Sequence, residues 1–239
     1  MDFIRSNLPK ALIPYVDQLP GIDFHSLLSG KGLSSERIEV LQNVVRGEQE
    51  IDDVYALLDV HLFALKVAFP SEYEAADVPP HDAASGQLLK YDPQKNGHNL
   101  IKHGLAFGET YSYSKDFGTL MVPCPNERDG ERVAIFSKLV VPEGSALLLP
   151  TGKIKERSDL CTMTSATVTD DGFRFITSRA FDRDTWQEAL NNAAAKIYPD
   201  KADSATKKKF IEECDDLVRA ELFDVRDGES PIRIVRPNH

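Results

Sequence analysis

Tyr111-Ser112-Tyr113-Ser114 is the first grouping whose residue types and spacing could do chemistry. On an extended segment the two tyrosines share one face and the two serines the other. Paired rings can grip a flat heterocycle by stacking, and the same pairing serves for ordinary cross-strand packing. Lys153, Lys155 and Arg157 alternate with Ile154 and Glu156. Extended, they throw three cations to one side, which suits phosphate or guards a sheet edge. His98, Lys102 and His103 form a third group. Histidines five apart share neither a helical nor a strand face, so this pair alone makes no metal site, but as an entry into the first strand the group of His98, Lys102 and His103 could line a cleft. Thr162 to Thr167 offers alternating hydroxyls that are also plain strand formers. Arg174 lies in sequence just beyond that run; buried against a carboxylate it would mark a site, and exposed it would not.

The elements that must position these residues follow from periodicity. Residues 1–30 hold Pro9, Pro14 and Pro20, which keep any helix there short. Ser34 or Ser35 can cap a helix bearing Ile38, Leu41, Val44 and Val45, ended by Gly47. A second helix carries Ile51, Val54, Tyr55, Leu58, Leu62, Leu65 and Phe69, with Asp52 and Asp53 in its first turn and Pro70 at its end. His61 beside this stripe reads as a packed or surface residue. Residues 71–97, rich in proline and glycine, read as a loop.

Strands are expected at Leu100–Phe107, Glu109–Ser114, Thr119–Val122, Arg132–Val141, Ala146–Leu149, Cys161–Thr169 and Phe173–Thr177. Asp170-Asp171-Gly172 makes the last two a hairpin. Two amphipathic helices follow, one around Trp186–Ile197 and one around Phe210–Val218. Residues 231–237 read as a final edge strand. The expected architecture is α+β: a helical N-terminal segment over 1–80, a linker over 81–97, and a domain over 98–239. In that domain helices pack on a central, mainly antiparallel sheet.

The chain of 239 residues has a net charge of −10. Residues 1–97 carry 15 acids and 8 bases, whereas residues 98–180 carry 10 of each. Acidity disfavours nucleic acid as a partner, and the neutral middle is where an anion could approach. Cys124, Cys161 and Cys214 are too far apart for a zinc motif, and three free thiols suit a reducing compartment. No secretory pattern opens the chain and no apolar run would span a bilayer. The expected location is the cytoplasm, with signal-independent export left open, and no metal or membrane association is expected.

Val140-Val141-Pro142-Glu143-Gly144-Ser145, then Pro150, Lys153-Ile154-Lys155, Asp159 and Ala166-Thr167-Val168, follow Phe136-Ser137. This stretch resembles the type VI secretion toxins that have an ADP-ribosyltransferase-like fold. Val168 stands where that family has a histidine. The resemblance implies a toxin or effector with an NAD-binding cleft. Nicotinamide would stack on Tyr111 or Tyr113, and pyrophosphate would lie near Lys153, Lys155 and Arg157. Glu143 or Glu156 would stabilise an oxocarbenium-like centre. The competing expectation is a non-catalytic acidic adaptor, immunity or accessory factor that binds a basic protein surface.

Overall fold

In the computed structural model, the described residues are 2–82, 89–124, 131–140, 146–148, 154–156, 160–170, 172–180, 183–200 and 203–218. They form an α+β fold that divides into two compact units. The first takes in residues up to Phe107 together with the segment Ala146–Glu156; the second begins at Gly108 and holds the rest of the strands and the last two helices.

The first unit is built on helices. α1 (Asp2–Asn7), α2 (Ile13–Val16), a 3-10 turn (Leu19–Gly21) and α3 (Phe24–Leu28) are short, as the prolines dictate. α4 (Ser35–Arg46) is capped by Ser34, whose hydroxyl accepts from the Arg37 amide at 3.4 Å. It ends at Gly47, whose φ of 75° closes the helix in the left-handed region. α5 (Val54–Ala68) begins at Asp53, whose carboxylate accepts from the amides of Tyr55 and Ala56. α5 is buried almost all round from Ala56 to Leu65, the mark of a helix at the centre of its unit. Ile4, Leu12, Leu19, Phe24 and Leu41 close over the same core as Leu62 and Leu65.

The proline that stops α5 also starts the next helix. α6 (Pro70–Ala75) has Pro70 in its first turn, where a missing N–H costs nothing. Two short strands follow, β1 (His81–Asp82) and β2 (Leu89–Tyr91), antiparallel with His81 opposite Tyr91. α7 then spans Pro93–His103. Residues 100–103, expected as the start of a strand, are therefore the end of a helix. The cause lies upstream: Pro93 initiates, Asn96, Leu100 and Ile101 share the buried face, and Gly104 with φ 72° terminates.

A second correction concerns the serine–tyrosine run. α8 (Phe107–Ser112) is helical, so Tyr111 sits on a helix and Tyr113 in the turn after it. The expected shared strand face does not form. In the second unit β3 (Ser114–Pro123), β4 (Arg132–Leu139), β7 (Leu160–Thr169) and β8 (Gly172–Ala180) make an antiparallel sheet. Its local order is β8-β7-β4-β3. The β7–β8 hairpin is the one expected from Asp170-Asp171-Gly172. β5 (Ala146–Leu148) pairs antiparallel with β6 (Ile154–Glu156), apart from that sheet.

One face of the sheet is covered by α9 (Arg183–Ile197) and α10 (Ser204–Val218). Trp186, Leu190, Ala193 and Cys214 meet Val122, Ala134, Phe136 and Met163 there. Trp186 stands edge-on to Phe136, ring centres 4.7 Å apart, and its indole N–H donates to Asp215 at 3.1 Å. Residues 231–237 lie outside the described residues. No helix among the described residues is long and apolar enough to cross a membrane.

Candidate functional site

The sequence-predicted residues fall on separate elements, and several lie outside the described residues. Tyr111 packs edge-on against Phe117, and Phe117 in turn meets Phe175 of β8. Arg174 is exposed, and as the neighbour of buried Phe175 it points to the opposite face of β8. Tyr113 is 37% exposed in its turn. His103 closes α7. Lys155 and Glu156 lie on β6, and their side chains are not described. Glu143, Lys153 and Arg157 fall outside the described residues, as does the turn at Pro142–Gly144. Among the described residues no three His, Cys, Asp or Glu side chains converge on a metal position.

A different site emerges in the first unit, from a single misfit residue. Asp59 lies midway along the apolar helix α5 and is 1% exposed. An isolated carboxylate in such surroundings must find partners or give up its charge. Both occur here. One oxygen, Oδ2, accepts from the Asn96 side-chain amide at 2.7 Å. The other, Oδ1, has no hydrogen-bond partner and lies 3.7 Å from Nδ1 of His81. Burial pushes the Asp59 carboxyl up to about 7, against the pull of the Asn96 hydrogen bond.

His81 sits at the other side of this gap. Its side chain is 36% exposed, so one edge meets buried Asp59 and the rest reaches solvent. Burial lowers its tendency to protonate. The Tyr91 ring stands edge-on to the imidazole, ring centres 5.8 Å apart, fixing its plane from the paired strand. Near neutral pH the pair is thus no preformed ion pair. With its carboxyl at about 7, Asp59 gains and loses its proton near neutrality, beside an imidazole that burial holds back from taking one. At 3.7 Å a shift of under ~1 Å by the half-exposed ring brings the atoms to hydrogen-bond length.

Asn96 comes from α7, and its place depends on Gly97. A methyl group at Gly97 would lie 2.1 Å from the Asp59 carbonyl oxygen, so only glycine lets α7 lie this close to α5. The Asn96 side-chain oxygen Oδ1 accepts the Phe107 backbone N–H at 2.6 Å, tying Phe107 to the same asparagine. Beyond this centre, buried Tyr73 donates to Gln94 at 2.8 Å, and Lys95 pairs with Asp92 at 2.8 Å. Burial pushes the hydroxyls of both Tyr73 and Tyr91 upward, with the nearby carboxylates adding to the effect.

His61 is buried, in keeping with a packed residue, and His98 is partly buried. His61 shares hydrogen-bond distance with the Leu57 carbonyl at 2.9 Å, and its other nitrogen has no partner. His98 stacks on Phe63, ring centres 4.9 Å apart, and burial holds its pKa down to about 4.

Sequence reasoning missed Asp59, His81 and Asn96. A usable signal for Asp59 was present: it is the one charged residue between Tyr55 and Leu65. For His81 there was none, because its meaning depends on a partner 22 residues earlier in the chain.

No family model matches the chain, and neither a curated protein nor a solved structure matches it.

Proposed function

We propose that the first unit carries an acid–base site in which His81 exchanges a proton with a small bound molecule and Asp59 supplies or accepts the balancing charge. The observation that carries this reading is the buried Asp59 carboxyl, its Oδ1 unpartnered and turned toward a half-exposed imidazole. A strongly shifted carboxyl beside a histidine is the arrangement general acid–base catalysis needs near neutral pH. In a hydrolytic cycle, water would give a proton to Nε2 as its oxygen bonds the electrophilic carbon. The imidazolium would return that proton to the departing oxygen. Asp59, ionised, would stabilise the imidazolium between the two steps.

Turnover of a panel of activated esters by the full chain, compared with His81→Asn and Asp59→Asn, tests the reading. Each variant should lose at least ~100-fold, the ordinary contribution of a positioned acid or base. Equal rates for all three would remove it.

A second reading has its own support, in the surface between α4 and α5. Tyr55 is 64% and Val54 42% exposed, and the exposed acids Glu48, Glu50, Asp52 and Asp53 precede them in the chain. An aromatic anchor beside an acidic run suits a basic protein segment, since a guanidinium can stack on the ring and pair with the carboxylates. An arginine-rich peptide should bind at low salt and lose affinity as salt rises. No binding at low salt would end this reading.

The NAD cleft of a transferase-like toxin gains no support from the placement of Tyr111, Tyr113 and Arg174 on helix, turn and exposed strand face. It ranks behind the other two. Thermal stabilisation of the full chain by NAD remains its test.

A further inference from the structure

We infer that Asn96 is a positioning residue: it decides which Asp59 oxygen carries the proton, and so which nitrogen of His81 is bare toward a ligand. The inference rests on the acid–base reading of the Asp59–His81 pair and adds a direction to it.

The orientation of the Asn96 amide is set by Phe107. Its backbone N–H can only donate, and it points at the Asn96 side-chain oxygen from 2.6 Å. That contact settles the amide orientation, so the Asn96 nitrogen must be the end that faces Asp59. The nitrogen is a donor, 2.7 Å from Oδ2. An oxygen already accepting a short N–H bond from a group with no lone pair to offer is a poor seat for an O–H. In the neutral acid the proton therefore sits on Oδ1, which has no hydrogen-bond partner and faces Nδ1 of His81 at 3.7 Å.

The consequence is a tautomer set by charge. While Asp59 holds its proton, Oδ1 is a donor and Nδ1 must accept. The neutral imidazole then carries its hydrogen on Nε2 and offers a donor outward. When Asp59 loses its proton, Oδ1 becomes an acceptor. The imidazole hydrogen is then favoured on Nδ1, and Nε2 turns a lone pair outward. The balance is one proton lost to solvent from Asp59 and one shifted between the ring nitrogens by exchange with water. The acid form should hold a carbonyl or anionic oxygen, and the ionised form a hydroxyl or a water about to be deprotonated. The ionisable groups around Asp59 are His81 of β1, Tyr91 of β2, Tyr73 of α6 and Asp53 on its own helix. Both tyrosines stay neutral, because burial raises their hydroxyls far above the working range.

Nitrogen NMR of His81 in the full chain reads the tautomer directly, without any substrate. Wild type should move from Nε2–H at about pH 6 to Nδ1–H at about pH 8.5, either side of neutrality. Asn96→Asp keeps an oxygen for the Phe107 amide but lets the proton sit between the two carboxyls, so His81 should show one tautomer at both pH values. A wild-type tautomer that does not change, or an Asn96→Asp variant that switches like wild type, overturns the inference. The outcomes separate from the ester assay. A switching His81 without His81-dependent turnover removes the catalytic reading alone. His81-dependent turnover without switching removes this inference alone.

Discussion

Gly97 brings α7 so close to α5 that an added methyl group would stand 2.1 Å from the carbonyl oxygen of Asp59. That approach makes the buried centre possible, because the next residue back, Asn96, then reaches the Asp59 carboxyl at 2.7 Å. Gly97→Ala must force the two helices apart. The expected cost is at least the ~1–3 kcal/mol typical of overpacking, since the obstacle is backbone rather than a flexible side-chain end. Urea unfolding should show it. A variant as stable as wild type would mean the helices are not this close.

Asp59→Asn should stabilise the protein in mild alkali. The folded carboxyl titrates at about 7 and the unfolded one at its ordinary 3.8, so between those values the folded state keeps a proton that the unfolded chain has lost. Stability from this group is greatest below the unfolded value. It falls as pH rises through the window and levels off above about 7, by about 4 kcal/mol in all. Asparagine has no such penalty. Melting temperatures at a series of pH values should show a flatter profile for the variant and the larger difference at the alkaline end. A gain in stability together with a loss of turnover is the expected signature of a residue kept for function.

His98 acts in the opposite direction. Its folded pKa of about 4 lies below the ordinary 6.5, so in that window the unfolded chain binds the proton and the folded chain does not. Its contribution is complete above the unfolded value and is lost as pH falls toward about 4. His98→Phe keeps an aromatic ring against Phe63 and removes the titration. Acid unfolding of this variant should begin at lower pH than in wild type; an unchanged acid limb would contradict the burial of the imidazole.

Tyr55→Ala separates the two functional readings. Tyr55 is 64% exposed and meets Phe3 edge-on, so its loss should cost little stability. Binding of an arginine-rich peptide should weaken about tenfold or more if the ring is an anchor. Ester turnover should be unchanged.

Much of the frame was legible in the sequence because local chemistry fixes it. Ser34 and Gly47 bound α4, and β7 and β8 pair as the expected hairpin, whereas Asp53, expected inside the first turn of the next helix, caps α5 instead. The failures share one cause. Pro93 and Gly97 look like breakers, yet one occupies the first turn of α7 and the other the point where two helices touch. Neither role is visible without the partner helix. Leu100 to Phe107 is apolar and strand-like by composition, but it inherits helix from the turn before it. Val54 and Tyr55, placed on the apolar stripe of α5 by spacing, are exposed instead, since the first turn runs beyond the core. The candidate site was the least legible part. Asp59, His81 and Asn96 come from a helix, a two-residue strand and a second helix, and what they can do depends on tertiary contact.

The carbon NMR titration of the Asp59 side-chain carboxyl in the full chain tests the central claim most directly. A midpoint near 7, with the His81 ring resonances moving in step, is the expected result. A midpoint near the ordinary 3.8, with His81 titrating independently, would show a solvated carboxylate and contradict the acid–base site.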